Sequence, residues 1–394
     1  MRIGYLCHDQ LPGASTSTEQ LLNNVSRLVE RGFEIDVIAP THQNDARPTA
    51  ERAPEIAAFY GMPPDAFKGQ MRLIELPFPR WIGGNLRRGL LDIAGARWCA
   101  RQQYDLIYVR DAFPLVTALA SALPVVFETY RTDFNRNRKY ALWRWFCYRR
   151  SNLIGIVTHS EIARASFLER GIPEDAVLVS HNGYSPEVMQ PRLSREEARA
   201  KLGLPVDAKY VTYTGHVNER KGLEVVFSVA QRLPGVTFCI VGVVPGSSGA
   251  EWVHSRIEDA GLANVMTVPR VPPSDVPTWL YSADVLIVPP SSDPLTRFSN
   301  TVLPMKTFLY LAAGRPIVAG DMPDIREVLV DGRNAALVPP DDIDAAAAAV
   351  SKSLFDIGFA DTLSRQALAD AEGYTWEARS HRIAGFVRER LSAH

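Results

Sequence analysis

The chain has 394 residues, 46% of them hydrophobic, with 43 basic side chains against 44 acidic ones. That apolar content is enough for two cores, and the balanced charge excludes a global field drawing the protein to nucleic acid or lipid, so any such attraction must be regional. Cys7, Cys99, Cys147 and Cys239 stand far apart with no Cys-x-x-Cys spacing, which argues against a zinc site and a disulfide framework and points to a reducing cytoplasm.

Residues 2–7 read as a short strand followed at once by polar His8, Asp9 and Gln10, too short for a signal h-region, and no apolar run approaches the length of a membrane span. A soluble protein is expected. Further apolar, β-branched runs at 35–39, 106–109, 125–127, 153–158 and 176–179 are bounded by turn residues and read as buried parallel strands. Between the first two, Leu21, Leu22, Val25, Leu28 and Val29 recur at helical spacing and stop at Gly32, which makes a βαβ unit. Residues 43–80 carry many prolines and little periodicity; they read as an insertion, either shaping the acceptor side or a surface excursion without a role.

After turn formers at 181–191 the strand pattern restarts at 210–213, 237–241, 265–268, 285–288 and 317–319. The fold class is therefore α/β, with two Rossmann-like domains whose ligand crevices, at the carboxyl ends of their strands, would face across one cleft. The expected division is 1–185 for the first domain, joined by a last helix at about 375–394, and 186–374 for the second.

Candidate ligand residues follow the strands. Gly13, after the first strand, either lets the backbone approach a ligand or makes a tight turn. Arg110 follows the strand at 106–109, and Tyr130 and Arg131 follow the one at 125–127; the arginines would meet a phosphate or an anionic acceptor, or pair with Asp105, Asp111 or Glu128. Residues 131–150 hold seven cations against Asp133 alone, interleaved with Trp143, Trp145, Phe146 and Tyr148. This reads as an interfacial helix meeting anionic lipid or a core-packed helix with an arginine rim. In the second half Gly215, His216, Lys221 and Gly222 place cations beside glycines, suited to a diphosphate, although Lys221 is open to a bland reading as a solvated helix start. At 303–320 a helix beginning after Pro304 runs through a glycine turn into a buried strand, so the backbone before Lys306 can hold an anion.

Taken together, 214–222, 269–277, 283–289 and 303–320 resemble the donor half of the family 4 retaining glycosyltransferases, which have the two-Rossmann-domain GT-B architecture. The resemblance covers nearly the whole chain. It implies a hexosyl-transferring enzyme (EC 2.4) whose co-substrate is a nucleoside-diphosphate sugar, UDP- or GDP-linked, with an unidentified hydroxyl acceptor on a glycan, lipid carrier or small molecule. No acidic Asp-x-Asp follows a strand and His8, His159 and His181 do not stand at the spacing of a helical metal pair, so no metal is expected, nor a cofactor or a nucleic acid partner; the location is expected to be cytoplasmic, reaching the inner face of the membrane if 131–150 is the interfacial helix. The implied donor set is Gly13, Gly215, His216, Lys221, Arg270 and Val271 at the base, and Asn300, Thr301, Val302, Leu303 and Lys306 at the phosphate and sugar; the implied reaction-centre residues are Tyr130, Arg131 and Arg110. Ser274 and Asp275 are expected to cap the following helix.

Four positions depart from the family pattern. His216 stands where many members have arginine, Tyr130 where the reaction-centre histidine falls, and Thr301 and Leu309 where two glutamates bind sugar and ribose. Leucine accepts no hydrogen bond from ribose hydroxyls, so that contact is lost or supplied elsewhere. The alternative reading is a catalytically silent GT-B protein that binds a partner.

Overall fold

The computed structural model describes residues 1–13, 16–42, 45, 47–77, 84–297 and 303–394. Two units emerge: Met1–His181 with Trp376–His394, and Asn182–Thr375.

In the first unit seven strands pair in parallel in the order β3-β2-β1-β4-β5-β6-β7. They are β1 (Arg2–Leu6), β2 (Glu34–Pro40), β3 (Met71–Leu76), β4 (Leu106–Val109), β5 (Val125–Thr129), β6 (Leu153–Thr158) and β7 (Val177–Val179). Because side chains alternate along a strand, Ile3 and Tyr5 face one layer of helices while Leu6, Ile107 and Val109 face the other. The first layer is built from helix Thr16–Glu30, through Leu21, Leu22, Val25 and Leu28, and from the last helix, Trp376–Ser392, through Ile383, Ala384 and Val387. The chain direction across the sheet reverses at β1 and β4, where a doubly wound sheet opens its crevice.

The second unit holds six parallel strands in the order β10-β9-β8-β11-β12-β13. These are β8 (Tyr210–Thr214), β9 (Thr237–Val243), β10 (Val265–Pro269), β11 (Val285–Val288), β12 (Ile317–Gly320) and β13 (Ala336–Val338). Helix Lys306–Ala313 delivers Phe308, Tyr310 and Leu311 to the layer under Leu286, Val288 and Ile317, and stops at Gly314 in the left-handed region, φ 60°. The crevice of this sheet lies where the order reverses, at β8 and β11.

Residues 43–80 are not the insertion expected of them. Their described part forms helix Thr49–Phe59, which runs despite Pro54, and β3, whose six residues pair with 35–40 of β2. The strand was hidden because Arg72 and Glu75 interrupt its apolar run and it lies at the sheet edge. Arg72 points out and bonds Asp36 at 2.7 Å, and the buried Glu75 carboxylate is matched to the equally buried Arg52 at 2.8 Å. No helix among the described residues is long and apolar enough to cross a membrane.

Candidate functional site

In the second unit, β8 ends in a turn that keeps its backbone close to its neighbours. Gly215 has φ 128° and Gly222 has φ 70°, both in the left-handed region. A Cβ on Gly222 would stand 2.5 Å from the Cβ of Ser291 at the end of β11, and one on Gly242 would stand 2.3 Å from the Gly215 carbonyl oxygen. Only glycines allow this packing. Helix Lys306–Ala313 is held to the same place because the Thr214 amide donates to the Tyr310 hydroxyl at 2.8 Å.

Two cations converge there. The Lys306 Nζ lies 3.3 Å from the centroid of the Tyr213 ring, and a Cβ on Gly215 would be only 3.1 Å from it. Burial pushes the Lys306 amine well below the usual lysine value, and repulsion from Lys221 pushes it further. Lys221, half-buried, is lowered by burial as well. No carboxylate enters the surroundings of either lysine among the described residues. Two half-buried ammonium groups without a counter-ion are unfavourable alone and become favourable when a dianion sits between them.

The other expected donor residues fall out differently. His216 exposes its side chain beside this turn and accepts from the Tyr213 hydroxyl at 2.8 Å through its carbonyl. The Arg270 amide donates to the Val243 carbonyl at 3.0 Å, its side chain is exposed, and Val271 is half-buried. Leu303 is buried in the apolar layer with Phe308, and Leu309 packs against that layer. Asn300, Thr301 and Val302 lie outside the described residues. Asp275 occupies the N-cap position of helix Val276–Ser282 but makes no side-chain cap, and the Ser274 hydroxyl reaches only Asp275, at 3.5 Å, so the expected capping does not form.

In the first unit the crevice residues are braced by the protein itself. The Gly13 amide donates to the Tyr60 hydroxyl, which donates back to the Gly13 carbonyl, each at 2.8 Å. Arg110, 8% exposed, donates to the Ser17 carbonyl at 2.7 Å and to Gln20 Oε1 at 3.0 Å, with its Nε 3.4 Å from Glu128. The Glu128 pairing anticipated as the alternative is the one observed, and it turns the guanidinium inward. Arg131 is exposed and donates to the Tyr130 hydroxyl at 3.0 Å, and the Tyr130 ring lies 6.0 Å from that of His159.

Sequence reasoning named Glu128 as a partner for the arginines and His159 only as one of several histidines after strands; it did not foresee the group they form with Arg379 and Tyr108. His159 Nε2 bonds Glu128 at 2.7 Å, Arg379 from the last helix reaches the same oxygen at 3.0 Å, and the Tyr108 hydroxyl donates to the other oxygen at 2.6 Å. Burial works to raise the Glu128 pKa, but Arg110 and Arg379 outweigh it and hold the carboxyl well below its ordinary value. Burial, with Arg379 beside it, lowers His159 to about 4, so the imidazole is neutral. The one signal available in the sequence was that Glu128 and His159 both end apolar runs.

Known proteins can now be set beside this geometry. The family model for glycosyltransferase family 4 matches residues 13–188, and that for glycosyl transferases group 1 matches residues 194–368. The phosphatidyl-myo-inositol mannosyltransferase of Mycobacterium tuberculosis is 26% identical over 97% of this chain and 95% of its own length. A D-inositol 3-phosphate glycosyltransferase of Acidothermus cellulolyticus is 29% identical over 56% of this chain, which spans about half of that relative's length (50%). Among solved structures, sucrose-phosphate synthase from Thermosynechococcus elongatus superposes with a TM-score of 0.77 at 17% identity, covering 100% of both chains. Anabaena HepE, solved with UDP-glucose, gives 0.72 at 17% identity over 99% of this chain and 100% of its own. Two matching family models that succeed one another along the chain, and a GT-B fold shared over its full length, establish that this protein belongs to the glycosyl transferases group 1, family 4.

Proposed function

We propose that the protein is a retaining glycosyltransferase that moves a sugar from a UDP- or GDP-linked donor to a hydroxyl of a glycan, lipid-linked or small-molecule acceptor, without a metal. The observation that carries this reading is the pair Lys221 and Lys306, the latter beside Gly215, which repel one another with no carboxylate in their surroundings among the described residues. A donor diphosphate supplies the missing negative charge. As the bond from the sugar to phosphate breaks, charge builds on the leaving diphosphate, and two preplaced ammonium groups stabilise it as a metal does elsewhere. That HepE is solved with UDP-glucose supports the nucleotide class. Four free, buried cysteines fit a cytoplasmic enzyme.

The test is calorimetry with UDP and GDP in the presence of EDTA. Lys221→Ala is expected to weaken binding by roughly 2 kcal/mol, the scale of one charge-assisted hydrogen bond. An unchanged dissociation constant would remove Lys221 from the site. The second reading, a silent GT-B protein, is favoured by Leu309, which packs into the apolar layer where the family has a carboxylate. Release of free sugar from a bound nucleotide sugar separates the two, since a silent protein binds without turnover.

A further inference from the structure

The crevice of the first unit opens where β1 and β4 part, and the residues that end those two strands make it acidic. His8 and Asp9 follow β1, and Asp111 comes two residues after β4. Asp111 stands at the N-cap position of helix Ala112–Leu119 in extended backbone, yet its carboxylate makes no cap and lies 3.4 Å from His8 Nδ1 instead. Asp9 accepts from the Thr18 hydroxyl at 2.8 Å and lies 3.8 Å from His8 Nε2. The neighbouring arginines do not offset this charge: Arg110 is turned inward on Ser17, Gln20 and Glu128, and Arg131 rests on Tyr130 one strand further along.

A third carboxyl lies deeper. Asp92, on helix Gly84–Arg101, is 4% exposed and has neither a hydrogen bond nor an ion pair among the described residues. It lines a cavity of about 10 Å³, room for one water-sized group, between the ends of β1, β2 and β3, with Leu6, Ile38, Leu76 and Leu91 as apolar walls. Burial pushes the Asp92 carboxyl up to about 7 and repulsion from Asp111 adds to the rise, while the exposed Arg88 acts against both. A polar group buried without a partner costs stability, and packing alone would favour a leucine at this position.

The chemistry of the missing partner follows from the charges. Carboxylates on both sides of the crevice repel an anion. A neutral hydroxyl would fill the cavity but gain nothing from Asp111. A protonated amine is water-sized, donates up to three hydrogen bonds, and turns the repulsion between Asp92 and Asp111 into attraction. No three His, Cys, Asp or Glu side chains among the described residues are grouped to hold a metal ion, which leaves an organic cation.

We propose that this crevice binds the acceptor and that the acceptor is an amino sugar or an amino-cyclitol, its ammonium seated in the cavity against Asp92 with Asp111 beside it. The proposal rests on the reading of the protein as a glycosyltransferase and narrows its acceptor: the hydroxyl that takes the sugar belongs to a molecule that also carries a protonated amine.

The experiment is calorimetric titration of the full chain, with and without UDP, using glucosamine and streptamine as amine probes, glucose and inositol as neutral counterparts, and inositol phosphate as the anion. The amines are expected to bind about ten-fold more tightly than their neutral counterparts, the worth of one charge-assisted hydrogen bond, and the phosphate more weakly than either. Asp92→Asn keeps the shape and removes the charge, so it should erase that preference. Asp111→Asn, at a half-exposed position, should reduce it about three-fold. Because Asp92 has no partner to lose, its asparagine variant should melt no lower than the wild type, whereas loss of a structural carboxylate would lower the melting temperature. Binding of neither amine, equal binding of amine and neutral probes, preference for inositol phosphate, or an amine preference that survives Asp92→Asn would each overturn the proposal. Failure of UDP to bind the wild type would instead overturn the donor reading, since the amine preference is also read without nucleotide.

Discussion

Replacing Lys306 by methionine keeps the length and the apolar stem of the side chain and removes only the ammonium above Tyr213. Two effects of opposite sign should follow from its surroundings. In the free protein, Lys306 is partly stripped of water and repelled by Lys221, so its loss should stabilise the fold, on the order of 1 kcal/mol, or about 2–4 °C in melting temperature for a unit of this size. In the complex, one charge-assisted contact to the diphosphate disappears. At about 2 kcal/mol this raises the dissociation constant for UDP roughly 30-fold. Differential scanning fluorimetry and isothermal titration calorimetry on the same preparation read both. The pH dependence provides a check on the sign. A lysine whose folded pKa lies below its unfolded value of 10.5 is a penalty that is complete below the folded pKa and vanishes as pH rises to 10.5. A variant that melts lower than wild type, or binds UDP as tightly, would refute the reasoning, because Lys306 would then be a structural group with a partner.

Two other outcomes follow from particular contacts. Leu309→Glu should tighten nucleotide binding if ribose lies near this helix turn; equal or weaker affinity by calorimetry would show that the nucleotide sits differently. Glu128→Gln leaves Arg110 and Arg379 buried without their counter-ion and should cost about 3–5 kcal/mol in denaturant unfolding. Acid should weaken the wild type over a defined window. The unfolded chain protonates His159 near 6.5 and the folded one only near 4, so stability falls as pH drops from 6.5 to about 4, and His159→Asn should flatten that limb.

The sequence by itself determined the class of fold and most of its strands. Uninterrupted apolar runs such as 106–109 and 285–288 can only be buried on both faces, and glycines at Gly215, Gly222 and Gly314 mark the turns that follow. It missed β3, where polar side chains are paired inside an edge, and β13, whose three residues are too few to carry a period. Roles within the site needed the tertiary structure, because they depend on what each charge meets. Lys221 and Lys306 are far apart in the chain, yet the packing of helix Lys306–Ala313 on the end of β8 makes them neighbours and leaves both without a counter-ion among the described residues. Arg110 read equally well as a ligand-binding cation until Ser17, Gln20 and Glu128 closed around it. Glu128 met Arg379 only when a helix 251 residues further along folded back onto its sheet. Periodicity records burial, which is local to an element; the partner of a charge is set by long-range packing, and no local pattern encodes it.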